Sequence, residues 1–151
     1  MALADTATTL HFACHAILDP HRPLESGLVL TPPAESAVGR DNGFLQAWEI
    51  IERVRTSADL VVLSACDSGL GTEVAGEGLI GLTRAFHYAG ARSVVGSLWS
   101  VSDASTAELM RRFYLHLSKG TAPDVALQSA QLELIEGPIT ATIDGHPREV
   151  D

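Results

Sequence analysis

The hydrophobic pattern along the chain switches between two periods. Residues 8–14, Thr-Thr-Leu-His-Phe-Ala-Cys, read as a buried strand. Residues 19–42 follow, punctuated by Pro20, Pro23, Pro32, Pro33 and Gly39 with Gly43 just beyond, and form a long connection in which Gly27 to Leu30 has room for one short strand. Phe44, Trp48, Ile51 and Val54 recur at helical spacing and predict a helix over 43–56. Asp59 to Cys66 is then a continuous apolar run, the pattern of a central strand in a parallel sheet. Residues 67–78 hold Gly69, Gly71, Gly76 and Gly78 and read as a loop. Leu79, Leu82 and Phe86 mark a second helix that Gly90 stops as a left-handed cap. Ser93 to Trp99 is another buried strand. Leu109, Phe113 and Leu117 define a third helix, with Ser102 as its N-cap and Gly120 as its end. Thr121-Ala-Pro-Asp opens a fourth helix, which stops at Gly137-Pro138. Ile139 to Ile143 has the character of a last short strand, and the stretch from 145 to 151 is a polar tail.

Strands alternating with helices mean an α/β fold with a mostly parallel sheet flanked by helices. The length of 151 residues fits one domain. The net charge of −9 disfavours nucleic acid and anionic membranes, and no basic cluster exceeds Arg111-Arg112. No apolar run approaches the roughly 20 residues of a membrane helix. The first residues lack the basic start and apolar core of a signal peptide, so the expected location is cytoplasmic. Two cysteines, Cys14 and Cys66, cannot make a disulfide framework, and reduced thiols are the expectation.

Parallel sheets place their sites at the carboxyl ends of strands. Two reactive residues fall there: His15, at the end of the first strand, and Cys66, at the end of the central one. His15 precedes Cys66 by 51 residues, the order and separation of caspase-type proteases. A free thiol is mostly protonated at neutral pH, with a pKa of about 8.5. An adjacent imidazole accepts its proton, the thiolate attacks a carbonyl carbon, and the imidazolium then protonates the leaving amine. Backbone N–H groups near the cysteine stabilise the oxyanion. The plainer alternative is that Cys66 only packs, as cysteines often do, and that His15 donates to a carbonyl.

Several stretches together resemble the CHAT domain, the caspase-like domain often joined to tetratricopeptide repeats. They are His11-Phe-Ala-Cys-His-Ala16, Leu24-Glu-Ser-Gly-Leu-Val-Leu30, Val61-Val-Leu-Ser-Ala-Cys-Asp-Ser-Gly-Leu-Gly71, Gly76-Glu-Gly-Leu-Ile-Gly-Leu-Thr-Arg-Ala-Phe86, Ala89-Gly-Ala-Arg-Ser-Val-Val-Gly-Ser-Leu-Trp99 and Asp103. The resemblance runs from about residue 9 to 136. It implies a caspase-like three-layer sandwich and a His–Cys dyad that cuts peptide bonds, with His15 and Cys66 at the matching positions. It places the oxyanion donors on the backbone N–H groups of Cys66 and Ala16, and it implies that Gly69 and Gly71 shape the loop. Members usually begin further upstream and end on His-Pro, a Trp and a last apolar strand. Here His146-Pro147 is present and the Trp is not. The chain is therefore expected to be a single, partial domain of this kind, its sheet incomplete.

Around the dyad, Asp67, Ser68, Gly69, Trp99 and Asp103 are substrate-pocket candidates. Asp67, Glu73 and Glu77 make either a solvated acidic loop or a negative rim that favours a basic substrate residue, at the cost of raising the thiol. Asp103 also reads as an acid favoured by a helix N-terminus, and Trp99 also reads as core. Gly76-Glu-Gly-Leu-Ile-Gly81 is a literal G-x-G-x-x-G, but it starts about ten residues after its strand, too late for a dinucleotide turn. The reading adopted is that Gly76 and Gly78 shape the loop while Gly81 lets a helix pack closely on the sheet. On one strand His11 and His15 share a face and Cys14 points away, without the spacing of a metal site. His11 is read as a strand histidine and Cys14 as core. Neither a metal nor a cofactor is expected. The expected function is a cysteine endopeptidase acting on specific protein or peptide substrates, in company with a regulatory partner or an upstream repeat domain. The alternative is a catalytically silent interaction module.

Overall fold

The computed structural model describes residues 7–32, 42–64, 75–98, 101, 103–137, 139–143 and 146–150. The chain divides into two compact units, residues 1–100 and 101–151.

The first unit is built on a parallel sheet of three strands, β1 (Thr9–Phe12), β5 (Leu60–Leu63) and β6 (Ser93–Gly96), in the order β1-β5-β6. All four residues of β5 are buried, as a continuous Leu-Val-Val-Leu run with a neighbour on each side requires. The outer two strands have one partner each among the described strands and are only partly buried. Both had been expected as buried strands, and their place in the sheet explains the difference. On β1, Leu10 and Phe12 pack against the core while Thr9 and His11 are exposed. Helix α2 (Ala75–Ala89) supplies Leu79, Leu82, Ala85, Phe86 and Ala89 to that core at helical spacing, and the rings of Phe12 and Phe86 lie 5.3 Å apart. Gly90, at φ 116°, ends the helix as expected: its N–H donates to the His87 carbonyl, and the Ala91 N–H donates to that of Phe86.

A second, antiparallel sheet has the order β2-β3-β4, from β2 (His15–Ile17), β3 (Gly27–Val29) and β4 (Phe44–Gln46). Strand β3 was legible in the sequence and β2 and β4 were not. The helix expected over 43–56 begins only at Ala47: helix α1 spans Ala47–Arg53. Gly43 adopts φ 77° and its carbonyl accepts from Leu30 N–H at 2.7 Å, so the chain enters the sheet before it can coil. Gln46 then closes a capping box with Glu49, which fixes the start of α1.

The second unit pairs helix α3 (Asp103–Ser118) with helix α4 (Pro123–Glu136) and carries a hairpin of β7 (Ile139–Ile143) and β8 (His146–Val150). Among the described residues, Phe113, Ala126 and Ala130 are its buried apolar side chains. His116 meets Glu133 across the helices at 2.8 Å. Glu108 is buried, held by Arg111 and Arg112 at 2.7–2.8 Å, and their guanidinium groups bring its carboxyl down to about 2. Strand β7 matches its expectation, whereas the stretch expected only as a polar tail contributes β8. The whole is an α/β fold with a parallel sheet, in keeping with a caspase-like arrangement.

Candidate functional site

Strands β1 and β5 run parallel with Phe12 opposite Leu63, so the segments that follow them leave from the same edge of the sheet. The pairing continues one step past the strands, where Ser64 N–H donates to the Phe12 carbonyl at 3.0 Å. Beyond that edge the two segments carry the candidate residues.

His15 does not end the first strand. Ala13 and Cys14 make a break after Phe12, and His15 is the first residue of β2. Its side chain is exposed, and it stands directly opposite Val29 of β3. Ala16 follows with its side chain buried, opposite Leu28. The break also separates His15 from His11, so the two do not share a face of one strand. His11 stays on β1, where partial burial lowers its imidazole. Cys14, in the break, is half-buried against the core, and burial raises its thiol. That fits the packing role read from the sequence. Among the described residues no three His, Cys, Asp or Glu side chains are grouped to hold a metal ion.

Cys66, Asp67, Ser68, Gly69, Gly71, Glu73 and Trp99 lie outside the described residues. So does the N-cap position Ser102. Asp103 is the first residue of α3, in the other unit, and Glu77 is exposed in the first turn of α2. Of the sequence-derived site residues, then, the structure describes the surroundings of His15 and Ala16.

The glycines of the Gly76–Gly81 motif have a packing role, but not against the sheet. A Cβ on Gly81 would stand 2.5 Å from the Pro23 carbonyl, and one on Gly78 would stand 2.7 Å from the Leu18 Cβ and 2.9 Å from the Ser26 hydroxyl. These two glycines let α2 lie directly on the 18–26 segment, which includes the 3-10 turn Pro23–Glu25. That segment is pinned from inside by buried Ser26, whose hydroxyl accepts from Asp19 N–H at 2.9 Å and whose carbonyl accepts from Ala47 N–H at 2.8 Å. Asp19 in turn accepts from the backbone of His21 and Arg22, which holds its carboxyl below the usual range. The segment between β2 and β3 is therefore fixed, and so is the position of His15 relative to Val29.

Sequence reasoning missed three residues that share a sheet face with His15. Ile17, Val29 and Phe44 occupy the same face of the antiparallel sheet, because Val29 is opposite both His15 and Phe44, and Ile17 is two residues from His15. Strands of three residues are too short to show a period. The only available signal was the repeated alternation in His15-Ala-Ile17 and Gly27-Leu-Val29.

The model of the CHAT domain family matches residues 1–149, wider than the stretch on which the sequence resemblance rests. Among curated proteins, Tetratricopeptide repeat protein 28 of Mus musculus is 39% identical over 86 residues, which is 57% of this chain and 3% of that protein. The Homo sapiens protein of the same name matches at the same identity and coverage. The chain thus spans a small fraction of the curated relatives it matches. No solved structure matches. No helix among the described residues is long and apolar enough to cross a membrane.

Proposed function

The chain belongs to the CHAT domain family, and on that premise we propose that it is a caspase-like cysteine peptidase domain with His15 and Cys66 as its dyad. The observation that carries the reading is the register of the parallel sheet. Phe12 is opposite Leu63, and each candidate stands three residues beyond its half of that pair. Three residues reach about 10 Å at most, so two such tethers leaving one edge side by side are long enough for their ends to meet.

In this reading His15 takes the thiol proton and the Cys66 sulfur adds to the substrate carbonyl carbon. The oxyanion is met by the backbone N–H groups of Cys66 and Ala16. As the C–N bond breaks, the His15 imidazolium gives its proton to the leaving nitrogen. Water then loses a proton to His15 and adds to the thioester, and the C–S bond breaks to return the thiolate and release the acid. Asp67, Ser68, Gly69 and Trp99 are the proposed pocket residues, with Asp67, Glu73 and Glu77 as an acidic rim. No metal or cofactor takes part. Substrates are specific proteins, and the setting is cytoplasmic.

A second reading is a catalytically silent module that binds partner proteins. It is favoured by the relatives' names, which place related sequence in tetratricopeptide repeat proteins. Alkylation with iodoacetamide across pH separates the two, using the wild type and the Cys66→Ala, Cys14→Ala and His15→Ala variants. A formed dyad makes Cys66 react faster than Cys14 at neutral pH, and His15→Ala removes the difference. If Cys66 is no faster than Cys14 and His15→Ala changes nothing, the dyad reading is lost and the binding module stands.

A further inference from the structure

The face of the antiparallel sheet that carries His15 is apolar where exposed antiparallel faces are ordinarily polar. Its opposite face is accounted for, since Ala16 and Leu28 are buried and Leu45 packs against them in the core. On the His15 face, Ile17 is 49% exposed and Val29 is 36% exposed. Phe44, opposite Val29, lies with its ring edge over Gly27, so close that a Cβ there would stand 2.8 Å from two ring atoms. Gly27 is opposite Ile17, so the ring fills the place of the missing side chain beside Ile17. The remaining position, Gln46, is occupied internally: its Nε2 donates to the Glu25 carbonyl and its Oε1 accepts from Trp48 Nε1. Thus among the described residues the face bears no Asp, Glu, Lys or Arg; Val29 stands opposite His15, Ile17 lies two residues along its strand, and Phe44 lies beyond Val29.

We infer that Val29 and Ile17, backed by Phe44, are specificity-determining residues that select an apolar side chain on the residue immediately after the cut bond. The inference rests on the role of His15 proposed above. His15 delivers its proton to the leaving nitrogen, and the side chain of the leaving residue begins two bonds from that nitrogen. It therefore starts within reach of the surface beside His15. Directly opposed side chains on an antiparallel pair start about 5 Å apart, which places Val29 in contact range of a group bound at His15. Ile17, two residues along the strand, is about 7 Å further and extends the same surface. A charged or amide side chain there would lose water to three apolar groups that offer it no partner. An apolar one would gain by burial, with a discrimination of roughly tenfold or more.

The test is cleavage of a denatured, protease-digested proteome by the protein, with the new amino termini sequenced. Parallel digests use Cys66→Ala, Val29→Asp and Val29→Lys. The expected result is enrichment of Leu, Ile, Val, Met or Phe immediately after the cut, by about tenfold, and its absence with Cys66→Ala. Val29→Asp shifts that position toward Lys and Arg, and Val29→Lys shifts it toward Asp and Glu. Val29 is exposed, so at least one of these opposite charges is compatible with folding, which circular dichroism checks. Cleavage that depends on Cys66 but shows no apolar enrichment, or a profile that neither Val29 variant alters, overturns the inference and leaves the peptidase reading standing. Absence of any Cys66-dependent cleavage overturns both.

Discussion

The two sheets of the first unit obey opposite rules. In the parallel sheet the central strand Leu60–Leu63 is buried along its whole length and carries nothing reactive. In strand β2 of the antiparallel sheet burial alternates, with His15 and Ile17 out and Ala16 in. One sheet is scaffold and fixes where its carboxyl edge lies. The other starts three residues beyond that edge and presents a face. Separating the two tasks lets the scaffold be closely packed without constraining what the face carries.

The contrast breaks most visibly under the same substitution made in each sheet. Val61→Asp puts an unpaired carboxylate into a site with no exposure, and the expected loss is at least about 4 kcal/mol, enough to abolish folding. Val29→Asp places the same group where Val29 is 36% exposed, and the expected loss in a urea melt is about 1 kcal/mol, the span of strand preference. Comparable destabilisation by the two would mean that the His15 face is core.

The support beneath the antiparallel sheet offers a smaller effect with competing signs. Gly81→Ala should stabilise α2 by about 1 kcal/mol on helix propensity alone. But the added Cβ would meet the Pro23 carbonyl at 2.5 Å, and backbone cannot swing aside as a flexible side chain can. Overpacking of this kind costs about 1–3 kcal/mol, so the net expectation is a loss of about 1 kcal/mol in a thermal or urea melt. A net gain would show that the 18–26 segment yields to α2 and does not hold His15 in place.

How much of this was legible follows from element length. The run through β5 and the spacing in α2 and α3 are long enough to reveal their periods, α4 was legible from its Thr121-Ala-Pro-Asp start and Gly137-Pro138 stop, and Gly90 was readable as a left-handed cap. The short strands were not. Phe44 fits the helical spacing of Trp48 and Ile51, yet pairing with Val29 outweighs that spacing. His15 read as a strand end because Ala13 and Cys14 are apolar and continue the pattern; nothing local marks the break after Phe12. Strand β8 was hidden by the polarity of His146 to Val150, although the Asp144-Gly145 pair before it is a hairpin signal. For the site, the sequence supplied His15 and Cys66 as a pair, and the register of β1 on β5 adds the shared three-residue offset. It could not supply the His15 face, which exists only once three distant tripeptides are aligned.

Cys14 provides the smallest and finest test, because it stands in the link between the two sheets. Burial raises its thiol, so at a given pH less of it is thiolate than in the unfolded chain. The sign follows: in a Cys66→Ala background, iodoacetamide should modify Cys14 more slowly in the native protein than in urea. The native rate should also rise toward its plateau at higher pH than the urea rate. Since ionising a thiol that the fold holds neutral costs stability, Cys14 contributes nothing at neutral pH that alkaline pH would strengthen. Its contribution falls as pH climbs through the ordinary thiol range toward the raised native value. Cys14→Ala removes a half-buried sulfur and should cost about 1 kcal/mol or less, leaving the pH dependence flatter above neutrality. A native Cys14 that reacts as fast as the unfolded one would mean that the link between the sheets opens freely, and that His15 is not held in the register that ties it to Val29.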